Sequence, residues 1–332
     1  MKKKKLIIKI ASLLLVCSVV VAAVLVVRDR KTDFYSAEKS TVAMNTIMTQ
    51  KIYSDVPGSQ INDIIAIVNV LETMISFKDE ASHLSKLNEK GSYDSGVIAD
   101  ALRVCIDVSE KSGGAFDVTV GDLSELWGIG TDKEKIPEAD EIAFLLSECG
   151  YEKISIDGSK IAFDGEFSVD LGAVGKGLAC DYIMNYLKSS EGVNGGVVSV
   201  GGSIVVCGQR NKAGDKWRVA VRHPRNNDEL LGVITLSEGF VSTSGDYERY
   251  FEKDGKRYHH ILDAESGYPS ESGLISVTVV CDSGILSDAL STACFVLGRE
   301  KGEELLSQYG AAGIFVDKEM NITTVGNIDF EY

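Results

Sequence analysis

Proline is scarce, with 4 residues in 332, and basic side chains are outnumbered, 34 Lys and Arg against 49 Asp and Glu. The first shortage excludes stiff proline-rich linkers. The second gives a formal charge of −15, opposite in sign to a surface that binds DNA or RNA, so nucleic acid is not an expected partner. None of the seven cysteines, at positions 17, 105, 149, 180, 207, 281 and 294, forms a Cys-x-x-Cys pair. That removes the usual zinc spacings and any disulfide framework, and the cysteines inside apolar runs read as small buried hydrophobes. No internal repeat, sustained heptad pattern or second long apolar run is present.

What is abundant is glycine, 33 residues, together with 44% hydrophobic residues, enough for a large core with many tight turns and close backbone approaches. The N-terminus carries Lys2 to Lys5 and then an almost wholly apolar run from Ile10 to Val27. This run reaches the lower limit of a membrane-spanning helix and exceeds most signal-peptide apolar regions. The expectation is an uncleaved anchor, or a signal peptide, over 1–31, with the lysines cytoplasmic and the rest of the chain extracytoplasmic. Cys17 follows Leu14, Leu15 and Val16 rather than a small residue, which disfavours a lipoprotein. A polar spacer, 32–40, would connect the segment to one folded domain, 41–332.

Apolar residues at Ile61, Ile64, Ile65, Val68, Leu71 and Ile75, and at Ile98, Ala101, Leu102, Cys105 and Val108, recur at helical spacing. Pro137 opens a third helix, and another is expected over 285–297. Strand-like pieces appear at 154–156 and 161–163 around an Asp157-Gly158 turn, at 197–200, 204–207, 217–221, 231–236 and 276–280, and in a last hairpin within 313–325. The mixture is α+β.

Three segments carry chemistry. Asp170-Leu-Gly-Ala-Val-Gly-Lys-Gly177 follows the strand-like 166–169 and opens a helix, so its backbone N–H groups and Lys176 suit a phosphate. It is neither a Walker A loop nor GxGxxG, and glycines that simply pack a helix on a sheet are the competing reading. Asp288 and Thr292 lie four apart on one helix face and could share a hard cation with a backbone carbonyl, in the style of magnesium; a cap and a back-bonded threonine are the plainer alternative. Val241 to Asp246 and Tyr258 to Pro269 concentrate hydroxyls, two histidines and two carboxylates, with His260 or Asp263 able to serve as general base, or simply to hold turns.

Taken in order, Met44-Asn-Thr46, Ser76-Phe77 with Ser82 to Asn88, Gly114-Ala-Phe-Asp-Val-Thr119 with Trp127-Gly128, Asp170 to Gly177 with Asp181, Val200-Gly-Gly-Ser203, Thr243-Ser-Gly-Asp-Tyr247, His260-Ile-Leu-Asp263 and Asp288-Ala-Leu-Ser-Thr292 resemble the ApbE family of FAD:protein FMN transferases. The resemblance implies a single catalytic domain of mixed or antiparallel sheets flanked by helices, with a cleft between two lobes. It implies that FAD is contacted by Met44, Phe77, Ala115, Phe116, Asp117, Asp170, Lys176 and Ile261, and that Mg²⁺ is held by Ala173, Asp288 and Thr292. The implied reaction moves FMN from FAD to a Ser or Thr hydroxyl of an exported acceptor with a DxxTGA(T/S)-like motif, such as a membrane redox protein, releasing AMP. His260 is the first choice for activating the hydroxyl, with Asp288 or a metal-bound water as fallback. A Mg²⁺-dependent FAD pyrophosphatase and a non-catalytic FAD-binding protein would use the same residues.

Two departures from the family pattern stand out. Asp263-Ala-Glu-Ser-Gly267 replaces Asp-Pro-Arg-Thr-Gly, and Asn45 replaces a glycine, tolerable because Asn adopts positive φ. Ser266 sits in the family's own loop rather than in an acceptor motif.

Overall fold

The computed structural model describes residues 34–226 and 228–332; the expected membrane-spanning segment over 1–31 lies outside them. Among the described residues no helix is long and apolar enough to cross a membrane.

The central sheet has eight strands in the spatial order β1 (Ser36–Ala43), β2 (Thr46–Ser54), β6 (Val193–Val200), β7 (Ser203–Gly208), β10 (Gly239–Gly245), β13 (Leu274–Cys281), β14 (Ala312–Asp317) and β15 (Ile322–Val325). Three small sheets accompany it: β3 (Ser92–Asp94), β5 (Lys160–Phe163) and β4 (Ile154–Asp157); β16 (Phe330–Glu331), β9 (Leu230–Leu236) and β8 (Trp217–Arg222); and the ribbon β11 (Tyr250–Lys253) with β12 (Lys256–His259). Every strand pair is antiparallel, so the expectation of mixed or antiparallel sheets resolves to the second.

Both faces of the central sheet are covered where β7 and β14 run, which explains why these two strands are apolar without alternation. On β7, Val205 enters one core and Val206 the other; Phe315 and Ile314 divide in the same way on β14. The larger core holds helices α1 (Pro57–Ile75), α3 (Gly96–Lys111), α6 (Gly175–Ser189) and α7 (Gly284–Leu297), and the second lies beneath β8 and β9. Helix α2 (His83–Lys90) also packs into the larger core, while α8 (Arg299–Tyr309) follows α7. A satellite core of Leu123, Trp127 and Ile142 joins α4 (Gly121–Trp127) and α5 (Ala139–Glu148) to the ribbon.

The periodic helices appear where their apolar spacing places them. The helix expected from Pro137 begins two residues later, because Glu138 and Glu141 form a reciprocal capping box. Two expectations are corrected. The spacer 32–40 is strand from Ser36 onward, paired residue for residue with β2; its alternation is masked because most of β1 faces solvent. Residues 166–169 join no sheet, although Asp170 N donates to Val118 O at 2.8 Å. All six described cysteines are free, four of them buried.

Candidate active site at two facing helix N-termini

The centre of the site is the place where α6 and α7 begin against each other. Gly177 and Gly284 face directly: a Cβ on either would lie 2.1 or 2.2 Å from the other's carbonyl oxygen, so no larger side chain fits without parting the helices. The approach permits reciprocal capping. Val174, at the N-cap of α6, has no side-chain acceptor, and Asp288 of α7 supplies one, its Oδ2 accepting from Gly177 N at 2.6 Å. In return Asp181 of α6 accepts from Gly284 N at 2.7 Å and Ile285 N at 2.8 Å at the start of α7. Asp288 Oδ1 also accepts from Ser203 Oγ at 2.6 Å, which fixes the buried carboxylate on the central sheet.

Asp288 is a cap, but of another helix, and the loop it caps is the phosphate-binding candidate. Ala173 stands just before that cap, and among the described residues none donates to its carbonyl. Thr292, one turn beyond Asp288, has its Oγ1 3.2 Å from Ser244 Oγ. Among the described residues there is no cluster of three His, Cys, Asp or Glu side chains. A carboxylate with spare lone pairs, a hydroxyl and a free carbonyl form an all-oxygen donor set that suits Mg²⁺, which keeps waters and substrate phosphates as further ligands, rather than zinc.

Asp170 opens the loop and accepts from Gly172 N at 2.8 Å. Asn88 positions it, exchanging hydrogen bonds with both backbone groups of Val169. Burial raises the Asp170 pKa, opposed by the Gly172 N–H and by the charges of Lys78, Arg249 and Lys176. An acidic chain thus gathers three cations around this loop. Asp117 accepts from Thr119 and from Tyr151 N at 3.0 Å, and burial raises its pKa as well. Phe77 lies against Gly121, close to Asp170's strand of loop: its Cε2 is 3.0 Å from where a Gly121 Cβ would stand.

Met44 and Asn45 form the turn between β1 and β2, both with positive φ, 50° and 55°. The tolerance expected of Asn45 is used, but Met44 pays strain in the same conformation, held by Glu72 Oε2 on its N–H at 3.0 Å. The Met44 Cε comes within 3.4 Å of a Cβ placed on Gly175, beside the α6 N-terminus. Ala115 is partly exposed, whereas Phe116 and Ile261 are buried in the larger core.

The β11–β12 ribbon presents His260. Tyr250 pairs with His259, so the next pair is Arg249 and His260, and His260 N donates to Arg249 O at 3.1 Å. The ribbon is anchored through Phe251 stacked on Tyr258 and Tyr258 on Trp127. His260 reaches the surface at the ribbon's end. Desolvation of its ring, followed by the charges of Arg249 and Lys176, lowers its pKa to about 3, so the ring is neutral at neutral pH. His259 instead is buried, its Nε2 3.0 Å from Ser270 O and its ring edge-on to Phe295. Asp263 closes its own loop, accepting from Glu265 N and Ser266 Oγ. This ties it to a structural task and leaves His260 as the base candidate that is free to act.

Four contributors lie outside the expected site residues: Asp181, Ser203, Lys78 and Arg249. Asp181 and Ser203 stand in the ordered motifs, but only the structure shows that they hold the α7 N-terminus and the Asp288 carboxylate. Arg249 was legible through the Asp254-Gly255 turn, whose two-residue loop fixes the ribbon register.

Two facing helix starts, a glycine loop and a group of cations come together as one candidate site on an antiparallel α+β scaffold. A sequence model described as the ApbE family matches residues 44–315. The FAD:protein FMN transferase of Treponema pallidum is 30% identical, over 91% of this chain and 90% of that protein. The enzyme of the same name from Escherichia coli strain K12 is 32% identical over 75% and 74%. Among solved structures, the ApbE protein of Thermotoga maritima superposes with a TM-score of 0.81 at 31% identity, over 88% of this chain and 97% of that one. The apo flavinyl transferase ApbE of Pseudomonas stutzeri gives 0.78 at 30%, over 88% and 95%. The chain belongs to the ApbE family.

Proposed function

We infer that this protein is an FAD:protein FMN transferase acting on a Ser or Thr hydroxyl of an acceptor protein. The hydroxyl oxygen forms a bond to the phosphorus on the riboflavin side of FAD. The bond from that phosphorus to the AMP phosphate oxygen breaks, its electron pair leaves on AMP, and the hydroxyl proton passes to a base. The observation that carries this reading is the Asp288–Gly177 junction, which sets a buried carboxylate, a free carbonyl and a capped glycine loop side by side.

Each residue's task follows from its surroundings. At the start of α6 the Gly175 N–H is taken by Leu171 O and that of Gly177 by Asp288, so the Lys176 N–H and ammonium are what offer the diphosphate a donor and positive charge. His260, neutral and solvent-facing, can accept the hydroxyl proton. Met44, Phe77 and Ala115 line the approach for the flavin rings, while Phe116, Ile261 and Asp117 set the backbone behind it. Ala173, Asp288 and Thr292 would hold Mg²⁺, which when bound would offset charge developing on the diphosphate. The carboxylates of Asp170 and Asp117 suit hydrogen bonds to polar groups of the nucleotide.

The apolar run over 10–27 and its lysine flank support a membrane anchor with the catalytic domain on the extracytoplasmic side. The acceptors would then be exported proteins, membrane redox proteins among them. The test uses the full-length protein with FAD, Mg²⁺ and a small protein carrying an Asp-x-x-Thr-Gly-Ala-Thr segment, followed by intact mass. Expected is the gain of one FMN, abolished by EDTA and by Asp288→Ala. Free FMN and AMP without attachment would instead mark a pyrophosphatase, and retained FAD with neither product a binding protein.

A further inference from the structure

In a chain with more acidic than basic residues, an arginine ordinarily finds a carboxylate. The seven other described arginines each have one within 3.5 Å, at 103, 210, 218, 222, 225, 257 and 299. Arg249 has none among the described residues, nor any other hydrogen-bond partner for its guanidinium.

Its placement is nevertheless fixed. In the antiparallel register Arg249 stands directly opposite His260, and opposite residues project to the same face of a ribbon, about 5 Å apart at Cβ. The same alternation puts Phe251 and Tyr258 on that face, and their stack against Trp127 sets the ribbon's tilt. The Arg249 stem lies over Gly130, where an added Cβ would meet its Cβ and Cδ at 3.5 Å. The stem is therefore packed while the charged end stays unpaired. Lys176, the cation at the α6 N-terminus, acts on the same two groups, Asp170 and His260, that feel the charge of Arg249.

We propose that Arg249 binds phosphate oxygens of the FAD diphosphate beside His260, forming with Lys176 a two-cation cradle on either side of the phosphorus to be attacked. The inference rests on the transferase reading above. A guanidinium suits this position because its planar fork can donate two parallel hydrogen bonds to one phosphate, and its charge does not titrate. A solvated surface arginine would show neither the packed stem nor the alignment with His260.

The test measures FAD affinity of the full-length protein by quenching of flavin fluorescence, without acceptor, across a series of salt concentrations. A charge-assisted hydrogen bond to phosphate predicts that Arg249→Gln weakens FAD about tenfold to a hundredfold and flattens the salt dependence, with Arg249→Lys intermediate. Unchanged thermal unfolding of both variants would attribute the loss to binding, as the exposure of Arg249 leads one to expect. Arg249→Gln binding FAD within twofold of the wild type, with the same salt dependence, overturns the inference alone. A wild-type protein that does not bind FAD overturns the transferase reading, and the inference with it.

Discussion

Gly177→Ala is the most informative single change, because two opposing effects can be weighed. Alanine in a helix ordinarily gains about 1 kcal/mol over glycine, and less near a terminus. Here the new Cβ would stand 2.1 Å from Gly284 O, 2.5 Å from Gly284 C and 2.9 Å from Asp288 Cγ. Two of these atoms are backbone at the start of α7, so relief means moving α7 from α6 by about 1 Å, in a core packed on both sides. Overpacking of this kind costs about 1–3 kcal/mol. Loss of the 2.6 Å Gly177 N–H bond to the Asp288 carboxylate adds about 1.5–3 kcal/mol. The expected net is a destabilisation of about 2–4 kcal/mol in urea unfolding, with Tm lower by roughly 3–7 °C. FMN transfer should fall by about 100-fold, since Asp288 moves with α7. Gly96→Ala is the matched control: it also lies at a helix start, and its Cβ would meet nothing within 4 Å. Gly177→Ala as stable as that control would refute the claim that the glycine pair sets the spacing of the helices.

Asp181→Ala should take two acceptors from the α7 N-terminus, costing about 1–2 kcal/mol and weakening Mn²⁺ binding measured by electron paramagnetic resonance, whereas Ser283→Ala, which removes the N-cap oxygen but keeps the Asp181 bonds to Gly284 and Ile285, should leave the metal affinity near wild type. Because the His260 pKa is lowered to about 3, the ring stays neutral as pH falls, and the His260-dependent part of the transfer rate should stay level from about pH 8 to 5. An acid limb near pH 6.5 would contradict the electrostatic setting described here. His259 is lowered by burial, so protons bind the unfolded chain first: stability is full above about pH 6.5 and declines as pH falls, and His259→Gln should flatten that decline in denaturant titrations. Trp127→Phe leaves the Gly267 carbonyl without its 2.9 Å partner, and should cost about 1–3 kcal/mol while loosening the loop from Asp263 to Gly267.

The sequence by itself determined the α+β class, the helices whose apolar residues recur every three or four positions, and the Asp157-Gly158 hairpin, because local periodicity and turn chemistry are properties of neighbouring residues. Ordered motifs carried the family. Strand β1 carries no periodic signal because an edge strand with a solvated face has no obligatory alternation, and 166–169 is strand-like without joining a sheet because extended backbone can pair with a single loop as well as with a sheet. Only the tertiary structure decided what the motifs do to one another. Asp288 and Asp181 lie on helices more than a hundred residues apart, and their carboxylates cap each other's helix because two glycines allow the backbones to touch. Likewise, that no carboxylate among the described residues pairs with the Arg249 guanidinium depends on how the other elements pack. Such contacts are set by close packing at long sequence separation, for which no local pattern in the chain provides a signal.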